Sequence, residues 1–289
     1  MTASGKVVRP ALVLLSCAAV GGDPKAGLSA AVGVELVHNA SLLHDDIIDG
    51  DQMRHGRPAL WGVLGLPAAI LAGDALFFLA MQVLAGSPIP LCDSGMGELM
   101  GAVQKLIEGE YTDTLLEDRQ HVSLAECETM VAGKTGSLIV AACGLGALAG
   151  GASERQAAHL RAFGHHLGIA FQLVDDVLGI WGDPDRTGKP VRSDLRARKK
   201  TFPVVATLAA KEAASLELER LFACGVSLSD EEARRAVELI EAADGKAWAI
   251  NKSEQHHVAA LEHLRAARPA VAVVAELAAL TEFIIGRDR

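Results

Sequence analysis

The segment from Leu42 to Trp61, LLHDDIIDGDQMRHGRPALW, places carboxylates inside an apolar helical pattern. Asp45 and Asp49 are four residues apart, so on a helix they project from one face about 5.4 Å apart, whereas Asp46 is turned away from Asp45 by about 100°. Close carboxylates repel each other and raise each other's pKa. Magnesium suits such a pair, because it binds one or two carboxylates together with waters and phosphate oxygens. The spacing therefore favours a metal site over a solvated helix end.

A second acidic pair, Asp175-Asp176, lies in the apolar segment FQLVDDVLGIWGDPDRTGKP, from Phe171 to Pro190. Two such pairs in apolar helices predict that the helices face each other across a cavity, with a metal-bound polyanion at its mouth and apolar walls below. Cations from elsewhere in the chain would then bind the phosphates of that polyanion: Lys6, Arg9, Arg54, Lys134, Lys189 and Lys199.

Composition limits the possible classes of protein. The chain has 289 residues, 50% of them hydrophobic, which is ample for a sizeable core. It has no linker-like or low-complexity tract and no repeat of fixed period, so we expect one domain over residues 1–289. The net charge of -9 argues against a nucleic-acid surface. Five scattered cysteines without a C-x-x-C pair indicate free thiols in a reducing compartment, which predicts a cytoplasmic location.

Two apolar stretches resemble targeting or membrane segments. The first 20 residues have Lys6 and Arg9 before an apolar run, as a signal peptide does, but we interpret them as a buried first helix. The chain is uncharged from Ala75 to Cys92, yet Pro88 and Pro90 leave its helical part too short to cross a bilayer. We therefore predict a buried core helix there and no stable membrane insertion.

Helix start signals are frequent along the chain. Asp23-Pro24 fits an N-cap followed by proline at the first helical position, and Ser123, Ser153 and Ser229 each begin a capping-box pattern. Apolar residues recur at three-to-four spacing between these points, and no segment shows convincing strand alternation. The sequence predicts an all-α fold with a large central bundle. The predicted helices span 10–20, 24–48, 67–85, 95–116, 124–148, 154–180, 202–213, 214–223 and 230–243, with two more after Lys252.

In this order, the motifs resemble those of the trans-isoprenyl diphosphate synthases, and the resemblance covers essentially the whole chain. DDIID with RHGRP resembles the family's first aspartate-rich motif and FQLVDDVLG its second, while GKTGSL and TGKPVRSDLRARKKTFPV match two further segments. The resemblance implies the isoprenoid synthase fold, a single large helical bundle around a deep apolar cavity, usually in a homodimer. It also implies that isopentenyl diphosphate is condensed with an allylic diphosphate with the help of Mg²⁺.

The resemblance also assigns roles to residues of this chain. One group binds magnesium or supports its ligands: Asp45, Asp46, Asp49, Asp175 and Asp176. A second group binds the allylic diphosphate: Arg54, Lys134, Gln172, Lys189 and Lys199. A third group binds isopentenyl diphosphate: Lys6, Arg9, His38 and His55. Thr135 and Gln172 would lie beside the allylic carbon, and Asp113 is a less direct candidate.

The chemistry that the resemblance implies fits these residue types. The carbon–oxygen bond of the allylic substrate breaks first, so negative charge develops on the leaving diphosphate. Fixed cations stabilise that charge more in the transition state than in the ground state. The carbocation needs a dry pocket and a second substrate already held at attacking distance. In the family the released pyrophosphate removes the last proton, so no side-chain base is required.

Residues just before the first motif predict the length of the product. Ala40 and Ser41 lie five and four positions before Asp45, where bulky aromatic residues stop growth at farnesyl diphosphate in the family. Both are small here, so we expect geranylgeranyl diphosphate as the main product. Val37 and Leu36, faced by Phe77 or Phe78, are the predicted floor of the cavity.

The chain also departs from the family pattern. Gly179 stands where a third acid is usual in the second motif, His55 where arginine is usual, and Arg192 where glycine is common. The family usually has another helix before Lys6, so either the chain is shortened or its numbering begins inside a longer protein. These departures keep open a second hypothesis, a non-catalytic partner subunit of a synthase. A class I terpene cyclase is a third, although VDDVLGIWGD does not fit its second motif.

The paired histidines are a further candidate for a metal site. His165-His166 and His256-His257 have no acidic or cysteine partners spaced around them. We therefore interpret them as surface or hydrogen-bonded helical residues.

Overall fold

A computed structural model describes residues 7–54, 56–117, 119–182, 192–223 and 227–286. The N-terminal half contains α1 (Val8–Ala19), α2 (Leu28–Ile48), α3 (Leu60–Leu64), α4 (Leu66–Ala85), α5 (Met96–Glu117), α6 (Leu124–Val131) and α7 (Ser137–Ala149). The C-terminal half contains α8 (Glu154–Trp181), α9 (Ser193–Arg196), α10 (Phe202–Ala210), α11 (Ala213–Ala223), α12 (Asp230–Ala242), α13 (Gly245–Ala266) and α14 (Val271–Ile285). The prediction of an all-α fold is confirmed.

Three short helical turns and one small hairpin connect these helices. A 3₁₀ turn, Pro24–Gly27, leads into α2, and π-helical turns at Leu91–Gly95 and Ala132–Gly136 lead into α5 and α7. Strands β1 (Met53–Arg54) and β2 (Arg57–Pro58) form an antiparallel pair just after α2. The hairpin turns the chain back towards the end of α2.

The predicted capping residues begin their helices. Ser123, Ser153 and Ser229 each accept a hydrogen bond from a backbone amide of the first turn, and the glutamate or glutamine three residues later completes a capping box. The Asp23 side chain accepts a hydrogen bond from the amide of Lys25 at 3.0 Å. Such caps supply partners for amides that a helix leaves unpaired, which explains why α6, α8 and α12 begin where the sequence predicted.

Some boundaries differ from the prediction. The helix predicted over 124–148 is interrupted by the π-helical turn Ala132–Gly136, because Gly133 and Gly136 weaken the regular helix. The first helix predicted after Lys252 begins earlier, at Gly245. The hairpin and the short helices α3 and α9 were not predicted, since elements of two to five residues have too little periodicity to recognise.

The core lies between α1, α2, α5, α7 and α8. Its fully buried side chains include Leu12, Leu99, Leu145, Phe163 and Leu167. A second apolar cluster, formed by α8 to α12, packs below the C-terminal end of α8. Helix α13 lies along α8, which it contacts over most of its length. The core thus fixes the two helices that carry the acidic motifs, α2 and α8.

Helix α4 is not the buried core helix that was predicted. It buries only Ala69, Gly73, Ala80 and Leu84, whereas Leu71 is 66% exposed and Phe78 is 77% exposed. Three described stretches are long and apolar enough to cross a membrane by length and composition, namely Pro24–Ile48, Leu66–Ala85 and Leu124–Ala149. The predicted burial was wrong because α4 has apolar residues on both faces, and a single chain covers only one of them. The predicted length was wrong too, because the helix extends back to Leu66 and has 20 residues.

The cysteines agree with the expectation of free thiols where they are described. Cys17, Cys92, Cys127 and Cys143 form no disulfide. Cys224 lies outside the described residues.

Candidate active site

The C-terminal end of α2 presents the first acidic motif to Arg54. The Nη2 atom of Arg54 donates to Oδ2 of Asp45 at 2.7 Å, and its Nε donates to Oδ1 of Asp46, which is 3% exposed. Because the hairpin folds the chain back over α2, a residue nine positions later reaches both carboxylates. Bidentate contact of this kind holds a guanidinium in a defined orientation.

Lys134 lies at the centre of a larger carboxylate group. Its Nζ is 2.7 Å from Asp113 Oδ2, 3.0 Å from Glu110 Oε2 and 3.3 Å from Asp45 Oδ1. Burial alone would lower the pKa of Lys134, but the three carboxylates raise it above its usual value. Burial raises the pKa of Glu110. Lys134 therefore stays charged and joins α5 to α2.

Two glycines allow this approach of Lys134. A Cβ atom on Gly109 of α5 would overlap the backbone nitrogen of Lys134, and one on Gly133 would lie 2.8 Å from the carbonyl oxygen of Lys105. The backbones of α5 and the π-helical turn are thus in direct contact, which only glycine permits. π-Helical turns inside longer helices frequently occur at functional sites, and this one carries both Lys134 and Thr135.

A chain of hydrogen bonds runs from Thr135 into the second acidic motif. Thr135 Oγ1 donates to Gln172 Oε1 at 2.8 Å, and Gln172 Nε2 donates to Asp176 Oδ1 at 2.8 Å. The other Asp176 oxygen accepts from the amide of Phe202 at 2.8 Å. Burial raises the pKa of Asp176 to about 8, although both donors act to lower it. Asp176 therefore orients Gln172, while the neighbouring Asp175 is exposed on α8.

Lys199 brings the segment after α9 to the first motif. Its Nζ lies 2.7 Å from Asp49 Oδ2. Burial would lower the pKa of Lys199, but Asp49 raises it above its usual value. Lys200 points elsewhere, with its Nζ 5.0 Å from the centre of the Phe222 ring. Of these two adjacent lysines, Lys199 is the one placed at the acidic site.

The donor set at this end of α2 fits a hard divalent cation. Asp45, Asp49 and Glu110 each offer one oxygen, and the three oxygens lie within 4.8 Å of one another. Burial would raise the pKa of Asp45, but Lys134, Arg54 and Lys199 together lower it, so this carboxylate is ionised. Carboxylate oxygens are the ligands that magnesium takes in proteins. The residues present thus fit magnesium.

Another predicted pair meets between α1 and α2. Arg9 Nη1 lies 3.1 Å from His38 Nε2, and His38 is seven residues, or about 10.5 Å of helix, before Asp45. Three further predicted residues, Lys6, His55 and Lys189, lie outside the described residues, so their roles stay predictions.

The site differs from the sequence prediction in two ways. Glu110 was missed, although its spacing of three residues from Asp113 puts both on one face of α5. Phe78 was a candidate for the cavity floor, but it is 77% exposed on α4 and cannot close a cavity within its own chain. Phe77 is half-buried and packs against the core, with its ring centre 5.8 Å from that of His44.

The paired histidines lie away from this site, between α8 and α13. His166 Nδ1 is 3.0 Å from His256 Nδ1, and His159 Nδ1 is 3.1 Å from His263 Nδ1. These contacts agree with the interpretation of hydrogen-bonded helical histidines. They also show that α8 and α13 run antiparallel.

Comparisons with known proteins agree with this arrangement. The polyprenyl synthetase family profile matches residues 1–240. The chain is 42% identical to the (2E,6E)-farnesyl diphosphate synthase of Mycobacterium tuberculosis H37Rv, over 98% of this chain and 80% of that protein. It is 41% identical to the geranylgeranyl diphosphate synthase of the same strain, over 99% of this chain and 81% of that protein.

The structural comparison leads to the same family. The crystal structure of a polyprenyl synthetase from Streptomyces coelicolor A3(2) superposes with a TM-score of 0.93 at 45% identity, over 99% of this chain and 86% of that one. This protein belongs to the polyprenyl synthetase family and is a trans-prenyl diphosphate synthase, an enzyme that transfers a prenyl group to isopentenyl diphosphate.

Proposed function

We propose that the enzyme makes geranylgeranyl diphosphate from isopentenyl diphosphate and an allylic diphosphate, with magnesium bound by Asp45, Asp49 and Glu110 and from the opposite side by Asp175. The observation that carries the product length is the depth of small and apolar residues along α2 below Asp45. The tail of the allylic substrate would extend along this face, away from the carboxylates.

The first layer below the carboxylates is small. Ser41 and Ala40 lie about 6 Å and 7.5 Å below Asp45 along the helix. Ala40 is fully buried, and the Ser41 hydroxyl donates back to the carbonyl oxygen of His38 at 2.8 Å. Both side chains are short, so neither would fill the space that a prenyl tail needs. This layer therefore supports elongation of the prenyl chain beyond farnesyl diphosphate.

The predicted floor, Val37 and Leu36, lies about 12 Å and 13.5 Å below Asp45, where Val37 is fully buried, and a second apolar layer lies deeper. At Gly33, about 18 Å below Asp45, a Cβ atom would be 3.5 Å from both Leu84 and Leu99, which are fully buried. An extended isoprene unit adds four carbon–carbon bonds, or about 5 Å. In our proposal the tail passes beside Val37 and Leu36, so a three-unit tail of about 15 Å would fit above the Gly33 layer and a four-unit tail of about 20 Å would not. Elongation would then stop after a farnesyl starter gains one unit.

The cations of the site explain how a diphosphate would be bound. Arg54, Lys134 and Lys199 each contact a carboxylate at the end of α2. When magnesium is bound to those carboxylates it supplies positive charge for the leaving diphosphate. The lysines and Arg54 can then turn to phosphate oxygens. Thr135 and Gln172 would lie beside the reacting carbon, with Gln172 held by Asp176, and Arg9 and His38 would bind isopentenyl diphosphate.

We also propose that the enzyme is a homodimer formed through α4 and α5. Apolar side chains form one exposed row on each helix: Leu71 and Phe78 on α4, and Met100, Ile107, Tyr111 and Leu115 on α5. Large exposed apolar patches mark interaction surfaces. The residue spacing on α5, seven, four and four, keeps its row on one face. A second copy of the chain offers the same apolar surface.

Incubation of the purified protein with Mg²⁺, isopentenyl diphosphate and each allylic starter in turn tests the activity. Chromatography of the dephosphorylated products gives their length. We expect geranylgeraniol from dimethylallyl, geranyl and farnesyl diphosphates. Farnesol as the only product would overturn the proposed length, and no turnover with any starter would favour a non-catalytic partner subunit.

A further inference from the structure

The second acidic motif has one carboxylate fewer than its sequence pattern leads one to expect. Asp175 is exposed on α8, and position 179, one turn further on the same face, is glycine. Residues four apart on a helix have Cβ atoms about 5–6 Å apart. An acid at 179 would therefore lie close enough to Asp175 for both to reach one metal ion.

The space beside Gly179 is already filled by a carboxylate. A Cβ atom built on Gly179 would overlap Oδ2 of Asp194, with Cγ of Asp194 at 3.2 Å and its Cβ at 3.9 Å. The Oδ2 atom is about as far from that Cβ position as a carboxylate oxygen is from its own Cβ, two bonds away. Asp194 thus places an oxygen where an aspartate at 179 could place one.

We propose that Asp194, on α9, supplies the metal-binding carboxylate that Gly179 lacks and completes the second magnesium face with Asp175. The proposal rests on the proposed function, because it assigns a further ligand at the same site. Position 179 must then be glycine, because any side chain there would occupy the space of the Asp194 carboxylate.

Packing of α9 fixes Asp194 in this place. Leu195, the next residue, is fully buried in the apolar cluster that contains Ile180 of α8. The carbonyl oxygen of Arg196 accepts a hydrogen bond from the amide of Leu228 at 3.0 Å. A carboxylate held by packed neighbours can serve as a defined ligand.

The same turn connects the two acidic motifs. The amide of Lys199 donates to the carbonyl oxygen of Asp194 at 2.9 Å, and the Lys199 side chain binds Asp49. Burial is the largest influence on the pKa of Asp176, and Asp194 raises that pKa further, so Asp194 also lies within electrostatic reach of the second motif. The segment from Asp194 to Lys199 therefore brings an acid to α8 and a cation to α2.

Cation binding tests the proposal without relying on turnover. Mn²⁺ and Mg²⁺ are titrated into the protein in the presence of inorganic pyrophosphate, and binding is followed by electron paramagnetic resonance and by calorimetry. We expect Asp194→Asn to weaken binding of the cation held by the second acidic motif by roughly tenfold, which is the usual effect of removing a residue that supports a metal site. Gly179→Ala should weaken it similarly, because its methyl group displaces Oδ2 of Asp194. Glu231→Gln removes the same negative charge at an exposed position on α12 and should have no effect on cation binding.

A swap separates loss of a ligand from loss of fold. Gly179→Asp alone should not improve binding, since its side chain collides with Asp194. In Gly179→Asp/Asp194→Ala, the two Cβ atoms are 3.9 Å apart, an ordinary contact, so binding should recover. Unchanged cation binding in Asp194→Asn, or no recovery in a folded double variant, would overturn the inference. Absence of condensation by the native enzyme would instead refute the proposed function, and the cation titration would still report on Asp194.

Discussion

Thr135 Oγ1 donates a hydrogen bond to Gln172 Oε1 at 2.8 Å, and this contact joins the π-helical turn to the helix of the second acidic motif. The residue before it, Lys134, contacts Asp45 of the first motif. Two adjacent residues therefore connect both acidic helices. A change at either position should alter both halves of the site together.

Lys134 is the first target. We expect Lys134→Gln to lower kcat by about 10²–10³-fold, the effect of removing one donor to a developing oxyanion. The variant should also unfold at a lower temperature, because Asp45, Glu110 and Asp113 lose their shared cation. Added Mg²⁺ should restore part of that loss. Lys105→Gln, an exposed change on α5, is the control in steady-state kinetics and thermal unfolding, and equal kinetics in the two variants would contradict the assignment.

Asp49 tests the metal site from the other side. We expect Asp49→Asn to abolish measurable turnover, since one of three carboxylates within 4.8 Å is lost. It should not stabilise the protein, because Lys199 loses its partner at 2.7 Å. Calorimetry with Mg²⁺ and pyrophosphate should show weaker cation binding. Near-normal condensation rates would exclude Asp49 as a ligand.

The fold and the first acidic motif could be predicted because their signals are local. Capping boxes mark helix starts, and the four-residue spacing of Asp45 and Asp49 places both on one face. Asp194 is different, since its position depends on how α9 packs against α8. No spacing along the chain relates residue 194 to residue 179, so the sequence showed the missing acid at Gly179 but not the carboxylate of Asp194 beside it.

The outer face of α4 shows a second limit of sequence patterns. Apolar residues on both faces predict burial, but the pattern does not say whether the same chain or a second one covers a face. Phe78 on α4 was therefore assigned to the cavity, whereas the structure exposes it on the outside.

That exposed face gives a prediction about assembly. We expect Phe78→Glu, and Ile107→Glu on α5, to convert a dimer into monomers, because each would bury a charge in an apolar interface. Sedimentation velocity measures the change. Val258→Glu, on α13 and also about half-exposed, is the control. A native protein that is monomeric at micromolar concentration would refute the proposed dimer, and binding of native monomers to lipid vesicles would instead identify α4 as a membrane surface.

The proposed product length predicts the effects of substitutions in two layers along α2. Ala40→Phe or Ser41→Phe should shorten the main product to farnesyl diphosphate, since an aromatic ring would fill the space about 6–7.5 Å below Asp45. Leu84→Ala or Leu99→Ala should allow products longer than geranylgeranyl diphosphate, because each opens the layer beside Gly33. Val32→Phe, on an exposed part of α2, should leave the products unchanged. Chromatography of the dephosphorylated products measures their length. Unchanged lengths in all four test variants would refute the proposed role of these two layers.

The histidine pairs between α8 and α13 predict how stability depends on pH. Burial, with smaller effects from His166, Lys252 and His165, lowers the pKa of His256 to about 4. Burial also lowers the pKa of His166, which faces His165 and His263, while Glu128 of α6 acts in the opposite direction.

Proton binding at His256 determines whether stability rises or falls with pH. Between about pH 6.5 and pH 4 the unfolded chain binds a proton at residue 256 that the native protein does not, so stability falls as pH falls through this window. Above it both states are neutral at His256 and its contribution is constant.

Thermal unfolding from pH 7.5 to pH 4 measures this effect. We expect the unfolding temperature of the native protein to fall with decreasing pH, and His256→Gln to reduce that fall because glutamine binds no proton. His121→Gln, at a side chain that is 82% exposed, should follow the native curve and controls for the loss of a histidine as such. Carboxylates also titrate in this range but act equally in all three proteins, so the difference between the curves isolates His256. Parallel curves for the native protein and His256→Gln would show that the contact between α8 and α13 does not depend on a neutral His256.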